Sequence, residues 1–183
     1  MSNTFEAGHA PADAALKSEF EFKVGPRPES SPESKLESRN RLKPKPVSDD
    51  DLYAAFENGT LDARIFDHEM HIRVGWIYVC RFPLAEAISR FADRLKAWAT
   101  ALGIPGKYHE TITWFYMLII SDRQSRQQVS GFSDFLAKNT DLLGSIPSIL
   151  EQYYKPETLA APHARKYYVL PDQFKDMGKD IGE

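Results

Sequence analysis

The segment Tyr108-His109-Glu110-Thr111-Ile112-Thr113-Trp114-Phe115-Tyr116-Met117-Leu118-Ile119-Ile120 decides the architecture. Its β-branched and aromatic residues suit a buried strand, and periodicity alone does not separate a buried strand from a buried helix. Two features favour the helix. No Gly or Pro interrupts residues 108–128, and Glu110 puts negative charge in what becomes the first helical turn. Were the segment a strand instead, the helix starts at residues 67 and 109 would not lie at one end of a bundle.

Upstream, Gly103 and a short Ile104-Pro105-Gly106 link lead back to residues 83–102. There Leu84, Ala87, Ile88, Phe91, Leu95, Trp98, Ala99 and Leu102 recur at three- and four-residue intervals, the pattern of an amphipathic helix. Before it, Asp67 is placed to cap a helix running through His71, Val74 and Ile77 to about Arg81, which Pro83 ends. Short links favour antiparallel neighbours, so these three helices should run up, down and up. Ser48 and three acidic residues open a further short helix over residues 49–57, stopped by Asn58-Gly59. Weaker helical signals follow at 132–138 and 147–154. Pro156, Pro162 and Pro171 then make the C-terminal stretch wrap across the bundle. The expected fold is all-α, an irregular helical bundle with an up-down-up core and a disordered N-terminal arm.

Composition sets the boundaries of that domain and narrows its partners. Residues 1–47 hold half of the chain's 12 prolines, mixed with Ser, Lys and Glu, and such a segment buries too little apolar surface to order itself. It reads as an arm that could recruit a protein partner. Residues 48–172 form the helical domain and 173–183 a tail. With 183 residues, 42% of them hydrophobic, and a net charge of −3, one ordered domain is expected. That charge argues against nucleic acid or an anionic membrane as the dedicated partner. The longest apolar run, residues 112–120, is about half of a membrane span. The first residues lack the basic and apolar pattern of a secretory signal, so a cytoplasmic location is expected. Cys80 is the only cysteine, which excludes an internal disulfide and a cysteine-based zinc site.

Three of the five histidines fall at the starts of two of these helices, in Phe66-Asp67-His68-Glu69-Met70-His71 and in Lys107-Tyr108-His109-Glu110-Thr111. In the up-down-up arrangement both starts lie at one end. His68 and His71, three residues apart, share a face, and His109 from the parallel helix completes a possible set of three imidazoles for Zn or Fe(II). Glu110, about 100° further round, is a candidate fourth ligand or general base, and so the candidate catalytic residue. Tyr108, Thr113 and Tyr78 are the candidate lining of a pocket for a small-molecule substrate. No phosphate loop or other nucleotide-cofactor motif occurs, and the spacings match neither His-Glu-x-x-His nor paired Glu-x-x-His. Structural roles stand beside each of these. Helical histidines often only form hydrogen bonds, Thr111 and Thr113 can bond backbone carbonyls, and Tyr78 and the tryptophans suit a core.

The combination of Phe66-x-His68-x-x-His71, the amphipathic helix, Gly106-Lys107-Tyr108-His109-Glu110-Thr111-Ile112-Thr113, Tyr153-Tyr154 and Ala164-Arg165 resembles an uncharacterised family of small bacterial helical proteins. The resemblance spans about residues 60–172. It brings no activity with it and implies only that His68, His71, His109 and Glu110 belong together. The functional expectation is a mononuclear metal-binding helical protein, a small metalloenzyme if the metal keeps an open position. The alternatives are a non-enzymatic interaction domain and a metal-free His/Glu acid-base site.

Overall fold

The computed structural model describes residues 48–144 and 148–173. The expectations for residues 1–47 and for the tail from 174 onward lie outside the described residues. Among the described residues stand seven α-helices and no strand: α1 (Asp49–Glu57), α2 (His68–Arg81), α3 (Leu84–Ala101), α4 (Glu110–Arg126), α5 (Phe132–Lys138), α6 (Pro156–Ala160) and α7 (Pro162–Lys166). Single 3-10 turns occupy Pro105–Lys107, Thr140–Leu143 and Leu150–Gln152.

The helix ends follow from local chemistry. Ser48 Oγ accepts the Asp51 N–H at 3.1 Å and Asp67 Oδ1 accepts the Met70 N–H at 2.9 Å, so α1 and α2 begin at their expected caps. Gly103, at φ 73°, takes the left-handed conformation that ends α3 and lets the Ile104 N–H reach back to Ala99 O at 2.9 Å. The segment that decides the architecture is helical throughout. Helix α4 packs against α2, α3 and α7, which explains why apolar residues occur on several of its sides.

Side-chain pairs between the helices fix their directions. From α2 to α4, His68 meets Tyr116 with ring centroids 5.3 Å apart, and Trp76 Nε1 donates to Gln124 Oε1 at 2.7 Å. Partner numbers rise together, so α2 and α4 are parallel. Against α3 the order reverses: Phe66 packs on Trp98 at 4.7 Å and Tyr78 on Phe91 at 5.6 Å. The up-down-up core is therefore present.

Its densest part is an aromatic cluster in which Phe56 touches Phe66 at 5.4 Å and Phe91 at 5.6 Å. Each such ring contributes on the order of 1.5–3 kcal/mol by leaving water. Tyr78 belongs to this cluster, fully buried, with its hydroxyl donating to Glu57 Oε1 at 2.7 Å. It is held among α1, α2 and α3, packed in the core and not on an open wall.

Arg73 pairs with Asp49 of α1 at 2.7 Å, a tertiary contact between the two helices. Arg123 grips Asp141 through two bonds of 2.6 and 2.7 Å, so this part of α4 is fastened and not merely solvated. Cys80 is exposed. The helix expected over 147–154 reduces, in its described part, to the turn at Leu150–Gln152, opened by Ser148 Oγ accepting the Glu151 N–H at 3.3 Å; Pro147 lies outside the described residues. No helix among the described residues is long and apolar enough to cross a membrane.

Helix α4 packs closely on the α2 backbone at Gly75, where a Cβ would lie 3.2 Å from Met117 Sδ and 3.4 Å from Ile120 Cδ1. Alanine gains helix propensity while asking flexible neighbours to move slightly, so Gly75→Ala is expected to stay within about 1 kcal/mol of the parent in urea unfolding. Gly75→Val adds bulk that cannot be absorbed there and should cost about 1–3 kcal/mol. A valine variant as stable as the parent would show that the two helices are not held in close contact.

Candidate functional site

The parallel packing of α2 and α4 puts both histidine clusters toward the same end of the bundle, but a stagger separates them. His68 stands level with Tyr116, and His109 lies seven residues earlier on that chain. At 1.5 Å per residue this is an axial offset of about 10 Å. His68 and His71 also diverge. The His68 ring packs on Tyr116 and its Nε2–H donates to Leu142 O at 2.7 Å, whereas His71 stacks on Phe66 at 3.7 Å and its Nδ1–H donates to Asp67 O at 2.6 Å.

His109 has a different task from the one its sequence position suggests. It precedes the first helical residue, with extended φ and ψ of −139° and 111°, and its side chain is the N-cap of α4. Nδ1 accepts the Ile112 N–H at 3.3 Å, which leaves the proton on Nε2, and that N–H donates to Leu159 O at 2.9 Å. Both ring nitrogens are thereby committed, so His109 does not fit a ligand role in this arrangement. Among the described residues no group of three or more His, Cys, Asp or Glu side chains stands where it could hold a metal ion. The geometry gives the expected metal set no support.

Thr111 continues the anchoring begun by His109. Its buried hydroxyl lies 2.7 Å from Ala164 O and 2.8 Å from Tyr167 O, sharing one proton between them, and accepts the Val169 N–H at 3.1 Å. Arg165 Nη1 donates to Gly106 O at 2.9 Å. The start of α4 and the strap of α6 and α7 are thus clasped through side chains of one short segment. This is the bonding to backbone carbonyls that its residue type led us to expect of Thr111.

The neighbouring residues of the same segment face elsewhere. Glu110 receives three donors: Tyr108 Oη at 2.8 Å, Trp114 Nε1 at 2.8 Å and Lys96 Nζ at 2.9 Å. Burial alone would raise this carboxyl, but the hydrogen bonds from Lys96, Tyr108 and Trp114 outweigh it and hold the group below the ordinary glutamate range. Tyr108 is pushed the other way, by burial and then by the adjacent Glu110 carboxylate. Thr113 is buried behind Tyr108 and belongs to its support, not to an open wall.

The Lys96–Glu110 pair closes one end of a groove between α3 and α4. The groove encloses about 640 Å³ and is floored by Leu84, Ala85, Ile88, Ala92, Trp114 and Leu118, with Ser89 and Asp93 at its edge. That volume falls within the roughly 300–1,000 Å³ of small-molecule sites. Of these residues only Glu110 was singled out from sequence. The others carry a signal that was available: Lys96 and Glu110, Ala92 and Trp114, and Ile88 and Leu118 lie seven, eleven and fifteen residues on either side of Gly103. Four-residue spacing gives each set one helical face, and a tight turn at Gly103 brings the two faces together. Compared with protein-family models, curated proteins and solved structures, the chain matches none.

Two outcomes follow for the histidines. His109→Ala leaves a buried backbone donor and a buried acceptor without their partner, and should cost about 2–4 kcal/mol in urea unfolding. A loss below about 0.5 kcal/mol would mean that the cap and the strap contact are dispensable. His71 gives a pH dependence. Burial pushes its imidazole from 6.5 down to about 3, against the opposing bond to Asp67. The folded chain therefore binds fewer protons than the unfolded chain between those values, and stability falls as pH drops through that window. From pH 7 to pH 5 the loss due to His71 is about 2 kcal/mol, with His68, also lowered by burial, adding in the same direction. His71→Gln should lose that share of the pH dependence; a variant that keeps all of it would exclude His71 as the source.

Proposed function

We propose that this chain is a helical binding domain that holds an amphipathic small molecule in the groove between α3 and α4. The observation that carries the reading is the join, in one groove, of a continuous apolar floor to a single charged end bounded by aromatic rings. An apolar body lies along Ile88, Ala92 and Leu118, and a polar head reaches the Lys96–Glu110 pair. Apolar lining with a few placed polar groups is the usual composition of such sites.

The charged end supports binding more than proton transfer. A general base needs a carboxylate free to take a proton near the working pH. Glu110 is instead held ionised by three donors, which suits a fixed anion that orients a ligand. Tyr108 keeps its proton because burial and the adjacent Glu110 carboxylate disfavour the phenolate.

Nile red, which is uncharged, tests the groove without involving its charges. It should bind with an emission shift and accept energy from Trp114, and Leu118→Arg should weaken it about tenfold or more by placing a charged chain on the apolar floor. Leu170→Arg, at a leucine that is 76% exposed and outside the groove, serves as the control and should bind as the parent does. Equal binding by the parent and Leu118→Arg would overturn the assignment of the groove.

A further inference from the structure

We infer that the head group this groove selects is a protonated amine on an apolar body. The inference rests on the groove reading above and adds the charge of the ligand. Three side chains of charged residues line this end of the groove, Asp93, Lys96 and Glu110, two acids to one base. Asp93 makes no salt bridge among the described residues, although Arg90 and Arg94 line a neighbouring cavity with it, while Glu110 is paired with Lys96.

The chain itself places an ammonium in this end. Lys96 Nζ lies 2.9 Å from Glu110 Oε2 and 4.9 Å from the centre of the Tyr108 ring, a carboxylate and a π face together. Lys96 is 45% exposed on a flexible stem, so its head can turn into water and yield the position. An incoming ammonium then takes over the contacts with Glu110 and Tyr108, with Asp93 as its second counter-charge. A carboxylate head has no equivalent place. To pair with Lys96 it must break the existing ion pair and stand beside the Glu110 carboxylate, and like charges in contact are unfavourable.

Octylamine, octanoate and octanol share one apolar body and differ in head charge at neutral pH, and their binding to the full chain is measured by calorimetry. Octylamine should bind about three- to tenfold tighter than octanol, and octanoate weaker than both. Asp93→Asn should reduce the preference for the amine while leaving octanol unchanged. Lys96→Met removes the internal competitor and should strengthen octylamine binding about three- to tenfold. Octanol binding and the circular dichroism spectrum of each variant report whether the groove is intact. Octanoate binding tightest, equal binding of all three, or weaker octylamine binding in Lys96→Met with octanol unchanged would overturn the inference while the groove reading stands. Binding of none of the three by the parent chain would overturn the groove reading itself.

Discussion

The contact of Gly75 with Met117 and Ile120 sets the axial register between α2 and α4, and much else follows from that register. Without a Cβ on α2, two side chains of α4 fit against its backbone, and closely packed interfaces do not slide continuously. Once the register is set, His68 stands at Tyr116 and His109 lies about two turns further toward the bundle end. The same placement frees the first turn of α4 to receive the C-terminal strap. Helix α3, joined to α4 through Gly103, then packs so that Lys96 meets Glu110, and the groove opens along the rest of that pair.

The direction of each main helix was legible in the chain, and the axial offset between them was not. The absence of Gly and Pro over residues 108–128, with Glu110 at the front, was sufficient to make α4 a helix, and two short links gave the up-down-up order. Offset depends on which residue of one helix meets which of another, and only packing decides that. A glycine in the middle of α2 hinted at close approach, but nothing local indicated Met117 and Ile120 as its partners. His109 was misplaced for a related reason. Histidine is an uncommon N-cap, and its capping role here depends on Leu159, 50 residues away, holding the ring in orientation. Glu110 was found because of its neighbours in sequence, although its three donors come from two helices and a turn.

Charge in this domain joins elements more than it decorates surfaces. Asp49 and Asp50 of α1 meet Arg73 and Arg81 of α2, Glu57 meets Arg94 of α3, and Arg123 meets Asp141 beyond α5. Each pair is partly exposed and individually modest, on the order of 1 kcal/mol or less. Their effect is on orientation, because each ties a short element to one of the three long helices. The end of the groove differs from them in bringing two aromatic donors to the same carboxylate, so that the charge is fixed in direction as well as in place.

The clasp of His109 and Thr111 on residues 159–169 has a consequence for how the chain is made. During synthesis the helices up to α4 emerge before the strap, and at that stage the Thr111 hydroxyl and the His109 Nε2–H lack their partners. Those polar groups become satisfied within the protein only when the strap arrives, some 50 residues after α4 begins. The central helix is thus completed by nearly the last described part of the chain. The domain therefore closes late, when the strap packs against the start of α4.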